Sequence, residues 1–206
     1  YHLMYVTVTF RSNIITCQKK LAKKKESSLV FPSELDINWK KNTTKPPLNK
    51  PKLLYVGRIK IEKGIFSLFE IFNKINSDIE LSIVGKPKTL KLENDKISYL
   101  GYINNADKLI RIYDDHNILI LPSFTEAYGK VIDESLSRMR PVIIFEEISH
   151  IIQNRYGIFV SQRDPQSLLT TIQFIMQQYL DIQNDISKNK LPNKYDFISQ
   201  MTKILT

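Results

Sequence analysis

Two glutamates separated by seven residues are the side chains whose spacing most clearly suggests chemistry. The stretch Leu119–Pro141 has the pattern of a buried strand, a polar loop and an amphipathic helix that begins after Tyr128 and Gly129. Glu126 falls in the loop, and Glu134 falls roughly a turn and a half into the helix. Free backbone amides at the start of a helix attract anions, so this segment predicts a site for a polar ligand that touches both carboxylates.

Two basic residues form a second candidate cluster. Arg58 and Lys63 follow the strand predicted at Leu53–Val56, and Gly57 allows the backbone to turn where that strand ends. Arginine offers a planar fork to phosphate oxygens and lysine a point charge, so the two together can neutralise a diphosphate without a metal ion. Considered alone, two cations in a loop are more simply explained as surface charge.

Both clusters need a framework that places them together. The predicted strands are Leu53–Val56, Leu81–Val84, Ile97–Leu100, Ile118–Leu121, Pro141–Phe145 and Ile158–Val160. Helical patterns lie between them, with Asn104 and Asp164 as expected N-caps. Strands that are apolar throughout are buried on both faces, so the pattern predicts an α/β domain with a doubly wound, Rossmann-like parallel sheet. Ligands of such sheets bind at the carboxyl ends of the strands, where both candidate clusters fall.

The net charge of +9 is concentrated near the start of the chain. Residues 1–52 hold 11 Lys and Arg against 3 Asp and Glu, whereas residues 53–206 hold 19 against 18. The excess includes a basic helix predicted at Gln18–Lys25, which could face an anionic membrane, nucleic acid, a polyanionic acceptor or simply water. No aromatic-studded basic strand of an RNA-binding type accompanies it, so nucleic acid is not expected as a partner.

Cysteine content and hydropathy bear on the compartment. The single cysteine, Cys17, cannot form an internal disulfide, which fits a reducing environment. The sequence contains neither an apolar run of about 18 residues nor a signal-peptide pattern. These observations predict a cytoplasmic protein. No strong cluster of metal ligands is visible in the sequence, so no metal or other cofactor is expected.

An ordered set of short motifs resembles a known family. The set comprises Gly57-Arg58, Lys63-Gly64, Pro122-Ser123, Glu126, Tyr128-Gly129, Glu134 and Pro141-Val142. It resembles the donor-binding, C-terminal half of GT-B retaining glycosyltransferases of the broad glycosyltransferase family 4 group, where the two glutamates form the E-x7-E motif. The resemblance implies an enzyme of polysaccharide biosynthesis. Such an enzyme would transfer a hexose-type sugar from a nucleotide-diphosphate sugar to a glycan or lipid-linked acceptor, with retention of configuration.

The resemblance also implies a role for each matching residue. Arg58 and Lys63 would bind the diphosphate and stabilise the charge on the departing nucleotide. Glu126 would bind hydroxyls of the transferred sugar, which makes these three the predicted catalytic residues. Glu134 would accept hydrogen bonds from the ribose. The remaining predicted donor-binding residues are Gly57, Tyr128, Gly129 and Lys130.

The same resemblance suggests how the chain is divided. Residues 1–45 would be a remnant of an N-terminal acceptor domain followed by a linker, with strands at Asn13–Thr16 and Ser28–Phe31. Residues 46–186 would form the donor-binding domain, and 187–206 a C-terminal helix that could pack back on the N-terminal part. With most of the acceptor domain absent, the chain is expected to bind a nucleoside diphosphate without transferring sugar.

A few positions depart from the family pattern or invite a simpler explanation. Relatives carry a small residue and a glycine before the Pro-Val pair, whereas Arg138-Met139-Arg140 stands here and predicts a bulkier, more basic helix end. His150 lies near the position of a glutamate in the relatives. Asp133 is predicted to face solvent. For Lys130 and Glu134, a surface ion pair is the alternative to a role in ligand binding.

Two other functions remain open on the sequence alone. A nucleotide-sugar epimerase shares the fold, but it needs further acid or base groups that the sequence does not reveal. A non-catalytic module that binds anions or nucleic acid is favoured only by the lysine-rich start. The same lysines suggest peripheral contact with an anionic membrane.

Overall fold

Three short strands form a small sheet near the start of the chain. The computed structural model describes residues 9–10, 13–16, 27–30, 33, 35–41, 43, 45–46, 49–86 and 94–205. In this sheet, β1 (Thr9–Phe10) is antiparallel to β2 (Asn13–Thr16), and β2 is parallel to β3 (Ser27–Leu29). The predicted strand at Asn13–Thr16 is confirmed, and the next one is found one residue earlier than its predicted start. The predicted basic helix and Cys17 lie outside the described residues.

A six-stranded sheet forms the centre of the chain. Its strands are β4 (Lys52–Val56), β5 (Glu80–Val84), β6 (Ile97–Gly101), β7 (Ile118–Leu121), β8 (Val142–Phe145) and β9 (Ile158–Ser161). They lie in the order β6-β5-β4-β7-β8-β9, and every neighbouring pair is parallel. All residues of β7 and β8 are buried, as expected for strands covered on both faces. The predicted doubly wound, Rossmann-like α/β sheet is confirmed.

Helices lie between these strands and after the last of them. They are α1 (Ile65–Asn73), α2 (Ala106–Asp114), α3 (Lys130–Ser137), α4 (Pro165–Gln177), α5 (Tyr179–Ile186) and α6 (Lys194–Leu205), with 3-10 helices at Ile37–Lys40, Ile61–Lys63 and Glu146–Ile151. Asp164 caps α4 as predicted, accepting from the Ser167 amide at 2.9 Å. The cap of α2 is Asn105 and not Asn104, because the Asn105 side chain is the one that accepts from an amide of the first turn. Within the described ranges, no helix is both long and apolar enough to span a membrane.

The chain changes direction across the sheet at β4. Its neighbours are β5 on one side and β7 on the other, so the connections that leave β4 and β7 run opposite ways and open a crevice between them. Gly64 brings the two loops together: its φ is 65°, and a Cβ there would lie 1.8 Å from the carbonyl oxygen of Pro122. The Phe124 amide also donates to the Glu62 carbonyl at 3.1 Å. The two loops therefore touch through their backbones, at a position that only glycine fits.

Two arginines at the end of α3 are buried. Arg138 and Arg140 each expose only 1% of their surface. The Arg138 guanidinium donates to both carboxylate oxygens of Asp114 at 2.9 and 2.7 Å, and to the carbonyls of Trp39 and Lys41 at 2.9 and 2.8 Å. The two basic residues expected at the helix end are therefore buried, and the charge of Arg138 is compensated by Asp114. Arg138 ties the segment before β4 to α2.

The C-terminal segment also contacts the region before β4. The Lys194 amide donates to the Leu35 carbonyl at 2.8 Å, and the Ser33 hydroxyl donates to the Pro192 carbonyl at 2.8 Å. Leu35 and Trp39 are buried in the same core as the six-stranded sheet. The division of the chain after residues 45 and 186 stays a prediction.

Burial of His116 predicts a pH dependence of stability. The residue is 8% exposed, with Nδ1 2.5 Å from the Ile112 carbonyl oxygen. Burial lowers the pKa of His116 below 6.5, against the opposing effects of that carbonyl and of the Asp115 charge. A histidine whose pKa is lower in the folded state stabilises the fold fully above its unfolded pKa. That contribution is lost as the pH falls toward the folded pKa.

We therefore expect the free energy of unfolding to decrease between about pH 7 and about pH 5.5, above the range in which exposed carboxylates titrate. Urea unfolding at the two pH values measures the change. His116→Gln, which cannot take up a proton, should show a smaller decrease than the natural chain. Equal decreases in the two proteins would mean that His116 is not the group responsible.

Candidate active site

An ion pair joins the two loops at the crevice. Lys63 ends the 3-10 helix after β4, and its Nζ lies 2.5 Å from Oε1 of Glu126, in the loop after β7. The Ser123 hydroxyl donates to the same carboxylate oxygen at 2.9 Å. The lysine and glutamate side chains are 18% and 14% exposed, so the pair is only partly screened by water. The cation and the carboxylate that the sequence predicts as catalytic residues are thus in direct contact.

The turn after β4 holds Gly57 and Arg58 through main-chain contacts. The Gly57 amide donates to the Val84 carbonyl at 3.0 Å, and the Tyr55 hydroxyl donates to the Arg58 carbonyl at 2.7 Å. A Cβ at Gly57 would lie 2.9 Å from that hydroxyl, which explains the glycine. Burial and the Glu126 charge raise the pKa of Tyr55, so its hydroxyl remains a donor. The backbone of Arg58 is therefore held while its side chain is exposed.

The start of α3 is fixed by a buried acidic residue. Gly129 caps the helix with a φ of 73°, and Tyr128 before it donates its hydroxyl to Asp133 at 2.5 Å. Arg155 pairs with the other oxygen of the same carboxylate at 2.6 Å and lies over the Tyr128 ring, 5.0 Å from its centre. Asp133 is only 2% exposed, so the prediction that it faces solvent is wrong. Its charge is compensated internally, and the contacts set the position of the helix N-terminus.

Glu134 borders a cavity of about 210 Å³. The cavity lies between the start of α3, the loop that leads into α2, and the segment before β4; its lining includes Asp36, Trp39, Ile103, Asn104, Leu109 and Lys130. The Glu134 carboxylate is half-buried and accepts a hydrogen bond from the Tyr113 hydroxyl at 2.8 Å. Lys130 is exposed at the rim. A carboxylate thus meets a concave space large enough for part of a ligand.

Arg163 was missed by the sequence analysis. Its guanidinium donates to the Pro122 carbonyl at 3.0 Å and to the Glu147 carboxylate at 2.7 Å, and lies over the rings of Phe124 and Phe145 at 4.1 and 4.3 Å. The hydrogen bond from Arg163 lowers the pKa of Glu147. The one available signal was its place directly after the last strand, at the carboxyl edge of the sheet where the candidate residues lie.

His150 also reaches this region. Its Nε2 lies 3.0 Å from the main-chain oxygen of Glu126, and the ring is exposed. The contact is with the backbone of the loop and not with the glutamate side chain. In the part of the chain that the structure describes, no group of three or more His, Cys, Asp or Glu residues could hold a metal ion.

Curated proteins of similar sequence include two glycosyltransferases. The chain is 26% identical over 144 residues to the uncharacterized glycosyltransferase MJ1607 of Methanocaldococcus jannaschii. It is 27% identical over 135 residues to the capsular polysaccharide biosynthesis glycosyltransferase CapM of Staphylococcus aureus. These alignments cover 62% and 58% of this chain, and 36% and 35% of the relatives. The chain thus spans about a third of the length of the curated relatives it matches.

Two solved structures have a fold similar to nearly the whole of this chain. The sucrose-phosphate synthase of Thermosynechococcus elongatus matches with a TM-score of 0.72 and 19% identity, over 93% of this chain and 57% of that one. Alr3699/HepE of Anabaena, in complex with UDP and glucose, matches with a TM-score of 0.74 and 15% identity, over 95% of this chain and 63% of that one. At such identities the likeness establishes the fold alone.

The family described as "Glycosyl transferases group 1" matches residues 36–191. The match covers more than half of the chain, and it includes the whole six-stranded sheet and every residue of the candidate site. The chain therefore belongs to the glycosyl transferases group 1 family and has the GT-B type of fold.

Proposed function

We propose that this chain is the donor-binding part of a retaining glycosyltransferase that uses a nucleotide-diphosphate sugar. The observation that carries the proposal is a Lys63–Glu126 pair between the loops after β4 and β7, followed along the chain by a helix that begins after Gly129 and carries Glu134 on the wall of a cavity. Each part suits one portion of such a donor. The transferred group would be a hexose-type sugar, and the acceptor a glycan or a lipid-linked glycan.

The diphosphate is assigned to the part of the crevice near Arg58, Lys63 and the start of α3. Arg58 and Lys63 supply two cations, and the positive end of the α3 helix dipole adds partial positive charge. Breaking the bond between the sugar and the diphosphate places negative charge on a phosphate oxygen, and fixed donors aimed at that oxygen stabilise the transition state. The proposal does not require a metal ion, because the side chains provide the neutralising charge.

The sugar and the nucleoside are assigned to the two glutamates. Glu126 is held at the mouth of the crevice by Ser123 and Lys63, where it would accept hydrogen bonds from hydroxyls of the transferred sugar. Glu134 borders the cavity, where it would accept from the ribose hydroxyls while the base occupies the space beyond. The Anabaena relative is in complex with UDP and glucose, which supports a nucleotide and a sugar as the two ligand classes.

The acceptor and the cellular location belong to the same proposal. A cytoplasmic enzyme with peripheral contact to an anionic membrane would meet a lipid-linked acceptor there. The basic residues of Gln18–Lys25 that suggest this contact lie outside the described residues. Steeply salt-dependent binding to anionic vesicles, compared with neutral ones, tests the contact.

Calorimetry with a nucleoside and its diphosphate tests the proposed roles. Glu134→Ala should weaken both ligands by about 1.5–3 kcal/mol, the range for hydrogen bonds to a charged group. Arg58→Ala should weaken the diphosphate and leave the nucleoside nearly unchanged, because its partner is a phosphate. Glu126→Ala should weaken neither, since its proposed partners are hydroxyls of the attached sugar; because it also removes the anion paired with Lys63, it should strengthen binding of the diphosphate.

The exposed Arg111 on α2 provides a control. Arg111→Ala removes one positive charge without touching the candidate site, and it should leave both affinities unchanged. An unchanged affinity of the folded Glu134→Ala protein for both ligands would remove the proposed role of that carboxylate. If Arg111→Ala weakens the diphosphate as much as Arg58→Ala does, the effect of Arg58→Ala reflects the net charge of the protein and not a contact with the phosphate.

A further inference from the structure

The hydroxyl of Tyr113 reaches the proposed ribose-binding carboxylate from inside the protein. Tyr113 lies near the end of α2 and is 1% exposed. Its hydroxyl donates to Oε2 of Glu134 at 2.8 Å, from one helix to the next. Burial and the neighbouring carboxylate raise the pKa of Tyr113 well above its ordinary value. The hydroxyl therefore keeps its proton and acts as a permanent donor.

The position of this hydroxyl is fixed on both sides. The Tyr113 ring packs edge to face against Trp39, with ring centres 5.7 Å apart. The carboxylate of the next residue, Asp114, accepts hydrogen bonds from Nε and Nη2 of the buried Arg138. Trp39 is in turn held by Arg138 through its carbonyl. The ring can neither rotate away from Glu134 nor shift along α2 without breaking buried contacts.

We infer that Tyr113 is the positioning residue for Glu134. Holding one oxygen fixes the plane of the carboxylate, so the ribose hydroxyls meet an acceptor whose direction is already set. A flexible glutamate would lose side-chain freedom when the ligand binds, and preorganisation avoids that loss. This inference rests on the proposed function of Glu134, and it adds that the discrimination between ribose and deoxyribose depends on Tyr113.

The ring and the hydroxyl of Tyr113 have separable effects. Packing against Trp39 needs only the ring, which Phe also supplies. The hydroxyl is a polar group without access to water, and its hydrogen bond goes to the carboxylate that borders the cavity. A purely structural role would make stability sensitive to the hydroxyl and leave ligand selectivity unchanged. A positioning role changes selectivity.

Calorimetry on Tyr113→Phe tests the inference. The probes are UDP, GDP and ADP, followed by the 2′-deoxy and 3′-deoxy analogues of whichever the natural chain binds most tightly. Tyr113→Phe should weaken binding of the ribonucleotide by about 3- to 10-fold, the range for one net hydrogen bond. It should weaken the corresponding deoxy analogue less, so the preference for ribose becomes smaller. In a Glu134→Ala background, the same substitution should have no further effect.

Tyr179→Phe is the matched control. Tyr179 is also buried, and its hydroxyl donates to the Asn117 carbonyl at 2.6 Å, away from the cavity lining. Its removal should lower thermal stability and leave the ribose preference intact. The inference is overturned if Glu134→Ala weakens binding and the folded Tyr113→Phe protein nevertheless keeps the full preference for ribose. If Glu134→Ala itself has no effect, the proposed function of that carboxylate fails, and the role of Tyr113 fails with it.

Discussion

Replacing Arg138 with Met is expected to lower the free energy of unfolding by about 3–5 kcal/mol, the cost of removing one partner from a buried ion pair. The substitution leaves the Asp114 carboxylate, whose side chain is 10% exposed, without its bidentate partner. It also leaves the carbonyls of Trp39 and Lys41 without a donor. Urea unfolding, followed by the fluorescence of the single tryptophan, measures the change.

Arg111→Met on the exposed face of α2 is the control for this experiment. It makes the same change of charge and shape, and it should alter stability little because the side chain is solvated. Adding Asp114→Asn to Arg138→Met should recover only a small part of the loss, because it removes the carboxylate that has lost its bidentate partner but also takes away the ion-pair partner of the buried Arg140, 3.9 Å from Asp114. A loss for Arg138→Met as small as that for Arg111→Met would contradict the structural role assigned to this guanidinium.

Gly64→Ala is expected to be the most damaging of the glycine substitutions near the site. An alanine there adopts a left-handed conformation, which costs about 1–2 kcal/mol. Its Cβ would also meet the Pro122 carbonyl oxygen at 1.8 Å, and overpacking of this kind adds about 1–3 kcal/mol. The loops after β4 and β7 must then separate. Nucleoside diphosphate affinity should fall together with stability, because Lys63 precedes this glycine directly.

Gly101→Ala isolates the conformational part of that effect. Gly101 has a φ of 75°, close to that of Gly64, and a Cβ there would meet nothing within 4 Å. Its substitution should therefore cost only the left-handed strain and should spare nucleotide binding. The difference between the two variants measures the contact between the loops. If the two variants lose the same free energy of unfolding, the close approach of Gly64 to Pro122 does not contribute to stability.

The fold could be predicted because its signals are local. The apolar segment Ile118–Leu121 and the regular alternation of strands and helices indicate a buried parallel sheet without knowledge of any long-range contact. The order of the strands, β6-β5-β4-β7-β8-β9, comes from the structure, because a doubly wound pattern allows more than one order. The candidate site could be located from local signals, since Lys63 and Glu126 each follow a strand and the carboxyl ends of parallel strands share one edge.

The buried charges could not be predicted because their partners are distant in sequence. Asp133 looked solvent-exposed on a helix, but its cation is Arg155, which comes from the segment after β8. Arg138 was expected to make the end of its helix more basic, yet it is buried against Asp114 and against two carbonyls nearly a hundred residues earlier. Arg163 reaches the loop after β7 from beyond β9. The local sequence indicates whether a charged residue lies in a helix. It does not indicate whether the folded protein will place an opposite charge next to that residue in the interior.

The Lys63–Glu126 contact has a consequence for what happens after the sugar has left. The two side chains neutralise each other at 2.5 Å. In the proposed roles, an intact donor replaces the lost ion pair for both side chains: its phosphate pairs with Lys63, and its sugar hydroxyls donate hydrogen bonds to Glu126. A spent nucleotide compensates only the lysine and leaves a carboxylate that is 14% exposed without its cation. Re-forming the pair therefore favours departure of the nucleotide, so the contact that joins the loops after β4 and β7 also promotes product release.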